Sequence, residues 1–225
     1  MSRSRTVDNW KKREEMLVDQ PLKLIIYGDF NCPFCALAST RVSCLERHGL
    51  AEVDWRAVVH APNIPPDGQE IIGDLRDEIQ REIDQIRSLL REGETDPLTL
   101  PSHQPNTNRA TAAYASTSEV DRPKLRERLF NAYWIHDADL ADSETLMRHG
   151  AIHTDETTAA QWRNEWLALS NPIVPMMVLP DGYISRGLGV LARLVQLAND
   201  RGRIDPTDLG GESPCFAHLF EEPID

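Results

Sequence analysis

Several kinds of segment that would narrow the function at once are missing from this chain. Only four of its 225 residues are cysteine. In a reducing compartment so small a number points to catalysis or metal binding before structural disulfides. No basic block is long enough to track phosphates, and acidic residues outnumber basic ones 36 to 24, for a formal charge of -12. Nucleic acid is therefore not an expected partner. The one basic cluster, Arg3, Arg5, Lys11, Lys12 and Arg13, is broken by Asp8 and Trp10 and followed by Glu14 and Glu15, and it reads as a solvated helix face. A secretory signal needs an apolar stretch of roughly 7–15 residues. None precedes Leu22, and no run is long enough to span a bilayer, so the expectation is a cytoplasmic chain without a membrane partner.

What is present supports a packed globule. Forty per cent of the residues are hydrophobic, and the length suits one core carrying an insertion. After a polar N-terminal helix, Leu22 to Phe30 is an apolar run that reads as a buried strand. Helical spacing takes over at Phe34, Leu37, Ala38, Val42 and Leu45 and stops at His48-Gly49. Val53 to Val59 reads as a second strand, parallel to the first. From Pro62 to about Ser170 no comparable strand is found. Ile71, Leu75, Ile79, Ile83, Ile86 and Leu90 mark a long helix, and shorter helical pieces follow near 107–118, 122–136 and 156–169. Strand character returns at Ile173 to Leu179. Pro180-Asp181-Gly182 turns the chain into Tyr183-Ile184-Ser185, and Leu188 to Ala198 closes with an amphipathic helix.

Strand, helix, strand, helical block, hairpin and helix is the layout of an α/β thioredoxin-like fold, β-α-β plus β-β-α, with an inserted all-helical subdomain. The corresponding boundaries are an N-terminal helical extension 1–21, a first half 22–62, the insertion 63–170, a second half 171–202 and an irregular tail 203–225.

The chemistry concentrates at Cys32-Pro33-Phe34-Cys35. Disulfide exchange needs a thiolate, and an ordinary cysteine is mostly protonated at neutral pH. At the first turn of a helix, unpaired N–H groups and the positive end of the macrodipole favour the charged sulfur. Pro33 suits the first helical position, where it sacrifices no hydrogen bond. The i,i+3 spacing brings Cys35 beneath Cys32, so Cys32 can attack a substrate and Cys35 can resolve the mixed disulfide. Phe34 adds no positive charge, which predicts a milder oxidant than a Cys-Pro-His-Cys counterpart. A zinc site would need a second pair of ligands, but Cys44, Cys215 and scattered histidines are all that is left, so no metal and no bound cofactor are expected.

A second constellation is Val174-Pro175-Met176. Proline cannot donate to a sheet ladder. An ordinary trans proline opening the strand and a cis bond that exposes the Val174 backbone to an extended substrate both suit the local sequence. Its place downstream of a Cys-x-x-Cys unit is where thioredoxin-type domains put their cis-proline. Met176 and Met177 would supply either adaptable apolar surface or core.

Tyr27 to Cys35, Asn106-Thr107-Asn108-Arg109-Ala110, Leu129 to Tyr133 and Ile173-Val174-Pro175 together resemble the DsbA-like thioredoxin family, in particular its cytoplasmic FrnE-like branch. The likeness runs over about residues 22–200. It implies a thiol-disulfide oxidoreductase with Cys32 as nucleophile, Cys35 as resolving thiol, Pro175 as cis-proline, and Pro33, Phe34, Val174 and Met176 around the substrate. The implied partners are protein or small-thiol disulfides and a redox partner, with a monomer or a homodimer as the assembly. A glutathione-dependent isomerase or transferase of the chromene-carboxylate isomerase or kappa-class type is the alternative, although such relatives typically lack the paired cysteines. A non-catalytic peptide-binding module is the third reading.

Other residues carry quieter expectations. Cys44 lies roughly 18 Å along the helix from Cys32, beyond disulfide reach, and is expected to be a buried, unreactive thiol. Cys215 in the tail is a possible accessory thiol or a packed residue. Asp29 is expected to form a turn, and His48 to cap a helix. His60 and the other histidines are read as loop or helix-end residues, and Asp74, Glu78 and Glu82 as the wet face of the long helix. That helix could carry a homodimer seam or intramolecular core.

Overall fold

The computed structural model describes residues 20–199. The segments 1–19 and 200–225, with most of the expected N-terminal extension, the tail and Cys215, lie outside the described residues.

The apolar run folds into β1 (Leu22–Gly28). Apart from the exposed Lys23 near its start it is apolar, as suits an inner strand, flanked on one side by β2 (Ala51–Ala57) in parallel and on the other by β5 (Met176–Val178) in antiparallel. With β6 (Ile184–Arg186) the sheet order is β2-β1-β5-β6. Between β1 and β2 runs α1 (Pro33–Arg47), with Pro33 at its start and His48 as its C-cap. Gly49 takes the left-handed φ of 65° that ends the helix. Leu37, Ala38, Val42 and Leu45, the face read from the spacing, are fully buried.

The segment between β2 and β5 holds β3 (Gln69–Glu70), α2 (Gly73–Leu89), β4 (His103–Gln104), α3 (Asn108–Ser116), α4 (Arg122–Trp134), α5 (Ser143–Arg148) and α6 (Glu156–Ala168). It is not all-helical, as the helical periodicity suggests: β3 and β4 pair antiparallel, Gln69 opposite Gln104. Strands two residues long offer no alternation to read. Ile71 belongs to this ribbon, its N–H donating to Ser102 O at 2.9 Å, so α2 starts at Gly73 rather than at Ile71. Ile79, Ile83 and Ile86 are buried within the chain itself, which makes the stripe core. The short α5 has too few residues to show a period; the Asp142 carboxylate caps it by accepting from the Glu144 and Thr145 N–H groups. α7 (Leu188–Asn199) closes the sheet and packs on α1.

Two buried arginines tie the layers around α1. Arg41 forms a two-pronged ion pair with Glu94, Nε to Oε1 at 2.7 Å and Nη2 to Oε2 at 2.8 Å, and donates to the carbonyls of Leu89 and Leu191. Arg126 on α4 donates to Ser39, Ser43 and Glu46 of α1 and stacks over the Trp55 ring. On the sheet, Gly28 faces the Trp55 indole, where an added Cβ would collide with Cζ2 of the ring. Gly28→Ala is expected to lower stability by about 1–3 kcal/mol in urea melts.

Candidate active site

Three chain segments meet at the end of β1. The first is the motif itself. Cys32 is the N-cap of α1, with extended φ and ψ of -97° and 118°, and its carbonyl accepts from the N–H groups of Cys35 (3.0 Å) and Ala36 (3.2 Å). Both thiols are unpaired as disulfides; Cys32 is 5 % exposed and Cys35 fully buried. The second is the stretch that leads into β5: Val174–Pro175 is a cis peptide, and the Cys32 Sγ lies 4.0 Å from the Val174 carbonyl.

The third segment follows β2, and the sequence pattern does not reveal it. Because Gly28 lies opposite Ala57 in a parallel register, the residues that leave β1 and β2 emerge at the same end of the sheet. Asp29, fully buried, accepts there from the His60 backbone N–H and ring Nδ1, both at 2.8 Å to Oδ2. Its other oxygen accepts from the Thr107 hydroxyl at 2.7 Å and from the Asn31 N–H at 3.4 Å. Asp29 is thus a hub joining the motif, the end of β2 and the start of α3, not simply a turn former. The one available signal in the sequence is the lone histidine directly after Val58-Val59. The insertion also clamps the motif: Trp134 Nε1 donates to Phe30 O at 2.9 Å, and Asn31 Nδ2 to Pro105 O at 3.3 Å.

The electrostatics separate the two thiols. Burial pushes the Cys32 thiol up, but the Cys35 side chain as hydrogen-bond donor, the nearby His60 charge and the Cys35 N–H outweigh it, and the net direction is below the ordinary value. Cys35 is driven well above it by burial and by the neighbouring Cys32 sulfur. Burial would deprotonate His60, but Asp29, Cys32 and Glu82 reverse this and raise it from 6.5 to about 9. The imidazole, 35 % exposed, is therefore a cation at neutral pH. Glu82 is in turn half-buried rather than fully on the wet face, and burial together with Glu78 raises its carboxyl.

Of the other predicted residues, Phe34 and Val174 are half-buried at the rim of the pair, while Pro33 and Pro175 are buried. Met176, read as a residue around the substrate, is fully buried and belongs to the hydrophobic core. Cys44 is fully buried and its thiol is pushed up to about 11 by burial, with Arg47 opposing and Glu94 adding to the shift, as an inert thiol should be. Among the described residues no three of His, Cys, Asp and Glu gather as a metal-holding group, and no helix is long and apolar enough to cross a membrane.

A cysteine pair on the first turn of a helix at the end of a parallel strand unit, with a cis-proline opposite, is the arrangement of a thioredoxin-like fold. The family model for the DSBA-like thioredoxin domain matches residues 23–164, and the chain belongs to that family. Among solved structures it is similar to a probable DsbA oxidoreductase from Streptomyces coelicolor, with TM-score 0.55 at 16 % identity over 85 % of this chain and 97 % of that one. A 2-hydroxychromene-2-carboxylate isomerase matches with TM-score 0.54 at 20 % identity, over 81 % and 95 % of the two chains. The cytosolic disulfide reductase DsbM from Pseudomonas aeruginosa, solved with GSH, matches with TM-score 0.53 at 15 % identity, over 78 % and 95 %. At these identities the likeness is one of fold. No curated protein sequence matches the chain.

Proposed function

We propose that the protein is a dithiol-disulfide oxidoreductase of the reducing cytoplasm, in the FrnE-like manner. The observation that carries this reading is the placement of two thiols on the first turn of α1, with Cys32 as the N-cap, its sulfur 4.0 Å from the Val174 carbonyl, and surroundings that favour the charged form at Cys32 and disfavour it at Cys35. Such a pair divides the labour of exchange. The Cys32 thiolate attacks one sulfur of a substrate disulfide; a new S–S bond forms as the old one breaks, and the other substrate sulfur leaves as a thiolate. Cys35 then loses its proton and attacks Cys32, releasing the second substrate thiol and leaving the Cys32–Cys35 disulfide. A redox partner returns the pair to the dithiol by the same steps in reverse order. Protein or small-thiol disulfides are the substrate class, reaching the sulfur along the rim where Phe34 and Val174 are half open. A glutathione-using isomerase would need Cys32 alone, and turnover that survives Cys35→Ser would favour it.

His60 is the positioning residue of this scheme. Its charge, held by Asp29, favours the thiolate form of Cys32. His60→Gln is expected to raise the pKa of Cys32, read by thiolate ultraviolet absorbance, and to slow exchange with a model disulfide at neutral pH. An unchanged titration curve would remove His60 from the activation. Stability has its own signature. A folded-state pKa raised from 6.5 to about 9 makes the His60–Asp29 contribution complete below pH 6.5 and lost as pH rises through about 9. That decline should flatten in His60→Gln.

A further inference from the structure

The stretch from Ser170 to Val174 leads to the redox site, yet among the described residues it makes no hydrogen bond between main-chain groups. It leaves α6 past the C-cap Leu169, turns at Asn171 with a left-handed φ of 51°, and runs through Ile173 to the cis-proline. Two side chains tie it down. Arg186, the last residue of β6, donates to Ser170 O through Nη2 at 2.7 Å and through Nε at 3.1 Å, and Nε also reaches Asn171 O at 3.3 Å. Trp166 Nε1 adds one longer bond, 3.3 Å, to Ile173 O.

The sheet sets this reach. β6 pairs antiparallel with β5 and places Arg186 opposite Met176, level with the start of β5, so the guanidinium meets the loop that enters that strand. Its remaining bond, Nη1 to the Ile184 carbonyl at 3.4 Å, also goes to main chain. A cation is favoured beside carbonyls just past a helix C-terminus. A guanidinium also presents its donors in a rigid fork, so it fixes the direction of the loop as well as its distance. The next residue holds the other side: Gly187, whose φ of 51° suits glycine, donates its N–H to Pro175 O at 2.8 Å. Val174 lies between these two grips. Its own N–H and C=O have no main-chain partner among the described residues, and its carbonyl faces the Cys32 sulfur.

We propose that Arg186 is a second positioning residue of the redox site: acting through the Ser170 and Asn171 carbonyls, it holds the Val174 backbone where an extended peptide can pair with it beside Cys32. The inference rests on the dithiol-disulfide reading and deepens it, because only a disulfide carried on a polypeptide can use those backbone groups. Main-chain pairing is directional, so a loop that drifts loses it while the sulfurs stay in place. The acidity of Cys32 draws on Cys35 and His60, and Arg186 bonds to neither. Loss of Arg186 therefore acts on peptide binding and leaves the attacking thiolate as it was.

The test is single-turnover oxidation of the reduced full-length protein by two disulfides, read as thiol released. One is the disulfide dimer of acetyl-Ala-Ala-Cys-Ala-Ala-amide, which has main chain on both sides of the sulfur; the other is 2-hydroxyethyl disulfide, which has none. In Arg186→Gln the peptide concentration that half-saturates the rate should rise by about tenfold, the equivalent of one charge-assisted hydrogen bond. The limiting rate, the rate with 2-hydroxyethyl disulfide and the ultraviolet titration of Cys32 should match the wild type. Arg186→Lys keeps a donor for Ser170 O and should recover part of the peptide affinity. Circular dichroism and urea melts verify that both variants fold. An unchanged half-saturation in folded Arg186→Gln would overturn the inference, as would an equal loss of rate with both disulfides, and either result leaves the redox reading standing. A wild type that neither disulfide oxidises would remove that reading and this inference with it.

Discussion

Cys35→Ser is expected to accumulate proteins or small thiols disulfide-linked to Cys32, whereas Cys32→Ser should lose disulfide turnover down to the uncatalysed background. The asymmetry follows from the thiol pair. In Cys35→Ser the residue-35 N–H and the His60 charge remain and a serine hydroxyl can donate in place of the thiol, so the first attack by Cys32 survives, but release of the substrate does not, because Cys35 is the thiol in place to attack the mixed disulfide. Non-reducing gels followed by mass spectrometry of the linked species read the trap directly and name the substrate class. Equal trapping by both variants, or turnover that persists in Cys32→Ser, would end the proposal. The partial burial of the nucleophile sharpens the point: a thiol 5 % exposed would be less acidic than usual if burial acted alone. Its reactivity rests on the Cys35 hydrogen bonds and on His60.

Glu94→Ala should cause the largest loss of stability among single substitutions outside the site, about 3–5 kcal/mol, seen as a fall in Tm of roughly 6–20 °C. Its side chain is fully buried and that of Arg41 is 2 % exposed, so removing the carboxylate strands a guanidinium away from water. Because Arg41 on α1 also donates to carbonyls at the end of α2 and on α7, its movement would loosen the hold of the redox helix on both of these helices. The double variant Arg41→Met with Glu94→Leu should recover much of the loss, since taking away both charges leaves neither one unpaired. A double variant no more stable than Glu94→Ala would show that the carbonyl bonds of Arg41, not its pairing, hold the helices.

Patterns confined to one segment are legible in the amino-acid order. The apolar run of β1, the three- and four-residue spacing of α1 and α7, the Pro-Asp-Gly turn between β5 and β6, and the cysteine pair at a helix start each depend on neighbours in sequence. The family resemblance rests on the same kind of stretches, and the match over residues 23–164 agrees with it. Where the pattern misleads, the deciding partner is distant. The β3–β4 ribbon joins Gln69 to Gln104, and Glu94 answers Arg41 across 53 positions.

The active site divides along the same line. By itself the sequence determined that a thiol pair sits on the first turn of a helix after a buried strand, because spacing, proline placement and backbone polarity are local matters. Only the tertiary structure decided how acidic each thiol is and which residues surround it. Parallel pairing of β1 with β2 carries His60 to Asp29 across 31 positions, the insertion sends Thr107 to the same carboxylate, and Met176 packs into the core. Charge interactions depend on distance in space and on exclusion of water, and neither is set until the sheet has closed.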